Sequence, residues 1–225
     1  MIQGYHLTEK DFRGNLELLQ MLNYQGNNDM LNLSRPDIIE DIHRRYLEVG
    51  ADIISTNTFS AQRVSQADYH MESFSRDIAY AGAKLARKCA DEYSTADKPR
   101  YVAGSIGPTN KTCSMSPDVS DPAKRDLTYD ALFDAYSEQV AAMIEGGIDA
   151  VLIETIFDTL NAKVAIDASL SEMKKADVNL PIMLSVTITD LSGRTLSGQT
   201  LDAFLASVSS YPIFSVGLNC SFGAE

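Results

Sequence analysis

From Gln25 onward, short apolar runs alternate with longer segments whose apolar residues recur every three or four positions, and this rhythm constrains the fold more than any other feature. Apolar runs of that length suit buried strands, and the segments between them suit amphipathic helices. Strands separated by helices pair in parallel, because a parallel pair needs a crossover that a helix supplies. A first helix carries Ile39, Ile42, Tyr46 and Val49 on one face, with Ser34 expected as its cap, Asp37 three residues on, and Gly50 at its end. A strand over 52–57 follows, then a helix over 72–93 and a strand over 101–106. Beyond a long loop from Gly107, residues Leu132, Tyr136, Val140 and Met143 mark another helix, which Gly146-Gly147 would close. The strand 150–153 finishes at Glu154, and Ala162, Ile166, Leu170 and Met173 form the next helical stripe. Strands over 181–187 and 213–220, separated by a helix over 200–209, complete five strands and about five helices. Periodicity alone does not separate an open doubly wound sheet from part of a barrel. No Gly-x-Gly-x-x-Gly follows a strand, which argues against a dinucleotide-binding domain.

The 225 residues suit one domain spanning 1–225, though a full eight-unit barrel takes about 250. With 31 acidic against 19 basic residues the net charge is −12, which repels a phosphate backbone, so no nucleic-acid partner is expected. No apolar run approaches the ~20 residues of a membrane helix, and residues 1–14 hold no signal-peptide core, so no membrane partner is expected either. Three widely spaced cysteines offer no disulfide framework and suit a reducing cytoplasm. A faint repeat relates Gly50-Ala51-Asp52-Ile53-Ile54 to Gly147-Ile148-Asp149-Ala150-Val151, each at a helix-to-strand junction.

Polar residues gather where the strands end: Thr56-Asn57-Thr58, Gly107-Pro108-Thr109, Glu154-Thr155, Thr187-Ile188-Thr189-Asp190 and Asn219-Cys220. In parallel α/β folds that rim carries the site. Glu154 closes an apolar strand, so its carboxylate needs a cation, either a substrate ammonium or a neighbouring Lys or Arg. Cys220, at a strand end, could ligate zinc or act as a nucleophile, but one Cys does not make a zinc site, and a lone Cys is more often a small buried hydrophobe. Cys89 falls on an apolar helix face and is read as core, whereas Cys113, in the long Thr-rich loop, could be exposed, with nothing to pair with it. His6, His43 and His70 are scattered and read as surface or packing residues. Ser192-Gly193-Arg194-Thr195 is a turn that follows a strand end, placed to overlie a site.

Several longer stretches form a distinctive set: Met1-Ile2-Gln3, Gly26-Asn27-Asn28-Asp29, GADIISTNTF from Gly50, YVAGSIGPTNKT from Tyr101, Ser116-Pro117-Asp118-Val119, IETIFDTLNAK from Ile153, TITDLSGRTLSGQT from Thr187, and GLNC from Gly217. Together they resemble the homocysteine-binding barrel of the cobalamin-dependent methionine synthases. The resemblance runs through essentially the whole chain. Thiol methyltransferases that use betaine or S-methylmethionine share the strand-end pattern, but the IFDTLNAK and SGRTLSGQT stretches are similar to the cobalamin branch. The resemblance implies an incomplete (β/α)8 TIM barrel in which the five strands are strands two to six, with strand one and strands seven and eight missing. It also implies zinc held by three cysteines, of which Cys220 matches the first and the adjacent pair is absent from these residues. By the same resemblance Glu154 holds the homocysteine ammonium, with Asn57, Thr58 and Asn219 lining the pocket. A free alkyl thiol, with a pKa of about 8.5, is mostly protonated near neutrality, and zinc would remove that proton. The thiolate would then take a methyl group from methylcobalamin, presented by another domain of the parent chain and remethylated by 5-methyltetrahydrofolate on a further one. With one ligand of three, the 225 residues alone are expected to be inactive. The alternatives are a homocysteine methyltransferase using a small methyl donor, or a non-catalytic homocysteine-binding module.

Overall fold

The computed structural model describes all residues except 19–20, 190 and 222–225. An N-terminal stretch carries α1 (Glu9–Arg13), α2 (Leu31–Ser34) and α3 (Pro36–Glu48) and leads into β1 (Ile53–Ser55). Then come α4 (Arg63–Gln66), α5 (Ser75–Tyr93), β2 (Tyr101–Ile106), α6 (Tyr129–Gly146), β3 (Ala150–Ile156) and α7 (Thr159–Lys175). The chain continues through β4 (Ile182–Val186), α8 (Leu201–Val208) and β5 (Ile213–Leu218). All five strands are parallel and lie in sequence order, β1-β2-β3-β4-β5. Sequential order with a helical crossover at each step places the helices on one face, as in a barrel, and not on two. The fold is therefore α/β, a partial TIM barrel, and the doubly wound alternative is set aside.

The core lies between sheet and helices. Val102, Ile106, Val151, Ile153, Ile182, Leu184 and Val186 point into it and meet Ala83, Ala86, Val140, Met143, Ala165 and Ile166 of the helices. Gly104 keeps that layer thin, since a Cβ there would come within 2.8 Å of Ile148 and 3.1 Å of the Met143 sulfur. The alternate strand residues, among them Ser105, Glu154 and Ser185, occupy the inner face. Gly147, at φ 95°, stops α6 as the double glycine suggests, and Gly50 makes the equivalent turn at φ 103°.

The helix starts differ from the expected ones in one place. Ser34 ends α2, and α3 begins with Pro36 at its first position behind Arg35, whose φ of −140° is not helical. Proline excludes the helical region for the residue before it, so it overrides the serine cap. The buried stripe of α3 is Ile38, Ile39, His43 and Leu47, whereas Tyr46 is 50% and Val49 85% exposed. Ile42 and Tyr46 instead border a groove along the free edge of β1, beside Met1, Gln3 and Ile53. Burial leaves the His43 imidazole poorly solvated and pushes its pKa down to about 4. At the opposite edge, Phe214, Val216 and Leu218 of β5 are 73%, 39% and 53% exposed. Among the described residues no helix is long and apolar enough to cross a membrane.

Candidate functional site

The strand ends meet at the C-terminal rim, and the centre of that rim is an irregularity in β3. Ile153 pairs with Leu184 and Ile156 with Val186, so two residues, Glu154 and Thr155, stand opposite the single Ser185. This is a β-bulge, and bulges re-aim side chains. Thr155 turns through φ +58°. For a β-branched residue that left-handed backbone is an outlier, costing about 1–3 kcal/mol, and it persists only where neighbours hold it.

Asn219, at the end of β5, is the neighbour that holds it. Its Oδ1 accepts the Thr155 backbone N–H at 3.1 Å and the Ser185 hydroxyl at 2.8 Å. Its Nδ2 donates to Thr155 Oγ1 at 2.8 Å and to Cys220 Sγ at 3.3 Å. The Asn219 carbonyl takes the hydroxyls of Thr187 and Ser221, and its N–H donates to Val186. Cys220 itself sits at φ +50° with its thiol exposed.

Glu154 lies on the inner face, half-buried, and its Oε1 accepts the Ser105 hydroxyl at 2.6 Å. Among the described residues no Lys or Arg pairs with it. Of the two partners the sequence allowed, a neighbouring cation is thus not present among the described residues. Ser105, which the sequence did not single out, is 2% exposed and is fixed by a closed ring of hydrogen bonds. Its N–H donates to Thr56 Oγ1 at 2.9 Å, and Thr58 Oγ1 donates to its carbonyl at 2.7 Å. The two threonine oxygens are 2.6 Å apart, and since Thr58 has spent its proton, Thr56 is the donor between them. Gln139 of α6 adds a second donor to the Ser105 carbonyl.

The other expected pocket residues are placed differently. Thr58 is fully enclosed, its methyl group turned toward Gly82 of α5, so it supports Ser105 and the side chain does not line the mouth. Asn57 is half-buried and faces the N-terminal segment, donating to the Asn28 carbonyl at 2.8 Å and to Asn32 Oδ1 at 3.0 Å. A second amide pair, Asn27 with Gln66, ties the same segment down beside Asp29. Cys113, whose exposure the sequence left open, is 8% exposed, because Asn161 anchors its N–H and the loop folds inward. Its thiol is raised by burial, then by Asp158. Cys89 is core as expected, and burial pushes its thiol up to about 11. The Ser192–Thr195 turn, closed by Thr189 N–H to the Arg194 carbonyl, leads into a segment that docks on the β3–α7 junction through Ser197 and Gln199. Asp190, of the fourth strand-end cluster, lies outside the described residues.

A metal centre is not complete here. Cys220 is the one exposed thiol of the three, and the described residues hold no group of three His, Cys, Asp or Glu side chains that could grip an ion. Zinc needs about four ligands, so Cys220 can contribute one and no more.

The family model for homocysteine S-methyltransferase matches residues 1–225. The metallated form of the homocysteine methyltransferase MmuM from Escherichia coli is similar to this chain with a TM-score of 0.67 at 21% identity, over 84% of this chain and 65% of that one. The oxidized form of the same protein gives 0.67 at 22%, over 84% and 64%. The chain spans a little under two thirds of the length of those structures, and at this identity the likeness speaks for the fold.

Proposed function

We propose, for a chain that belongs to the homocysteine S-methyltransferase family, that it is the homocysteine-binding part of a cobalamin-dependent methionine synthase. The observation that carries this reading is Glu154: a carboxylate raised on a bulge at the rim, oriented by Ser105, with no protein cation beside it among the described residues. An α-ammonium group satisfies such a carboxylate, since a charged hydrogen bond in a half-buried site contributes more than a neutral one. Homocysteine brings that ammonium, and its thiol is the group to be methylated. Cys220 is read as one ligand of a zinc ion whose remaining ligands lie outside these residues; bound zinc would keep the substrate sulfur deprotonated. The metallated form of MmuM agrees with a metal in this family. Asn57 borders the strand-end rim, and Thr58 acts behind Ser105.

The cobalamin branch is supported by the IFDTLNAK and SGRTLSGQT stretches, which form the bulge-to-α7 junction and the segment docked on it. Methylcobalamin and folate would be carried by further domains of the parent chain, in the cytoplasm, and residues 1–225 are one domain of it. Donor choice tests the reading. With the complete reading frame and homocysteine as acceptor, methylcobalamin should yield methionine while betaine and S-methylmethionine yield none. Turnover with either small donor would place the chain in the other branch. Glu154→Gln should weaken homocysteine binding about tenfold or more, the worth of a hydrogen bond to a charged group.

A further inference from the structure

The amide of Asn219 has four hydrogen-bonding positions, two lone pairs and two N–H groups, and all four are taken. Nothing is left for a substrate. Two of the four go to Thr155, one to its N–H and one to its hydroxyl, and Thr155 is the β-branched residue held at φ +58° directly after Glu154. A third ties the amide to Ser185, the single residue that the bulge opposes. From this accounting we infer that Asn219 is a positioning residue: it clamps the Thr155 turn, and through that turn it aims the Glu154 carboxylate at the substrate ammonium.

The argument is one of backbone mechanics. Without the clamp, Thr155 relaxes toward the extended region that β-branched residues prefer. Relaxation removes the extra residue from the strand and re-sets the peptide that joins Glu154 to Thr155, which changes the direction in which the Glu154 side chain leaves the inner face. The Ser105 hydroxyl fixes where the carboxylate ends, and Asn219 fixes the backbone from which it starts. The inference rests on the proposed role of Glu154 in holding the amine, and it assigns to Asn219 a task other than lining the pocket.

The test uses the 225-residue chain and two probes that share a thiol and a carboxylate and differ in the amine, L-homocysteine and 4-mercaptobutanoate, titrated against amide NMR spectra. The unaltered chain should prefer homocysteine about tenfold or more. Asn219→Ala should lose that preference while binding 4-mercaptobutanoate as before, and the Thr155 N–H to Hα coupling should rise toward the extended-strand value. Glycine adopts positive φ without a clamp, so the double variant Asn219→Ala, Thr155→Gly should regain much of the preference. A folded Asn219→Ala chain that keeps the full preference overturns the inference and leaves Glu154 in its role. An unaltered chain that does not distinguish the two probes overturns the role of Glu154, and the inference with it.

Discussion

Asp29 is a buried acid with no ion-pair partner among the described residues, and replacing it should change how the protein responds to pH. Its side chain is buried, and burial raises its pKa from the ordinary 3.8 to about 7, against the pull of N–H groups from Ser60, at 3.3 Å, and from its own backbone. Tyr69, the other titratable group coupled to it, is itself raised by burial, by Asp68 and by Asp29, and stays neutral through this range. The folded pKa lies above the unfolded one, so the folded state holds the proton more tightly. The resulting stability is full below 3.8 and is lost as pH rises through about 7. The loss runs at about 1.4 kcal/mol per pH unit inside that window, so between about pH 5 and pH 8 it amounts to roughly 2–3 kcal/mol. Asp29→Asn keeps the oxygen that accepts the Ser60 N–H and removes the ionisation. Urea denaturation of both proteins across this range is the assay, and every other titrating group cancels in the difference. The Asn variant should gain on the parent steadily from acid to alkaline pH, by roughly that amount. Parallel stability curves would show that Asp29 is solvated or paired in solution, and the reasoning from burial would fail.

Three further outcomes follow from the same geometry. Gly146→Ala places a Cβ 2.4 Å from that of Ala83 and 3.1 Å from the Tyr80 carbonyl, wedging α6 from α5; overpacking of about 1–3 kcal/mol should outweigh the helix-propensity gain of at most about 1 kcal/mol, and thermal melting should fall. Asp158→Ala removes the cap that accepts Leu160 N–H at 2.8 Å and Asn161 N–H at 3.1 Å and also releases Ser114; a loss of about 1–2 kcal/mol in denaturant unfolding is expected, and an unchanged midpoint would count against it. The 225-residue chain, equilibrated with zinc and then dialysed, should retain well under one equivalent by atomic emission, because Cys220 stands without two further ligands among the described residues.

The strands were legible because their apolar runs are short and bounded, and the structure keeps each within a few residues of its expected place. The repeat at Gly50 and Gly147 was legible for a physical reason as well. At both junctions a glycine takes positive φ and an aspartate two residues later meets an arginine, Asp52 with Arg100 and Asp149 with Arg87. What stayed hidden depends on contacts across long sequence separations. Ser105 is one hydroxyl in an apolar run, and nothing local says that it will meet Glu154, 49 residues away. Cys113 sits among polar loop residues, and its burial follows from Asn161, 48 residues on. The resemblance drew attention to Asn219, but its role turns on counting hydrogen bonds that only the folded chain contains.

The bulge in β3 shows why period-two reasoning stops short of the site. Ile153 and Ile156 are three apart, so in a regular strand they would face opposite sides of the sheet. Both are buried in the helix-facing core, at 3% and 4% exposure, because the extra residue between them restores the alternation. Glu154 follows Ile153 onto the inner face by ordinary alternation, and the extra residue is taken up directly after it, where Thr155 turns through positive φ. Core burial of Ile156 therefore depends on the same backbone irregularity that adjoins the Glu154 carboxylate. A substitution that flattens the strand must turn Ile156 out of the core, which costs about 1.5–3 kcal/mol of burial. The apolar packing beneath the rim thus opposes any relaxation that would misaim Glu154, and the hydrogen bonds of Asn219 oppose it from above.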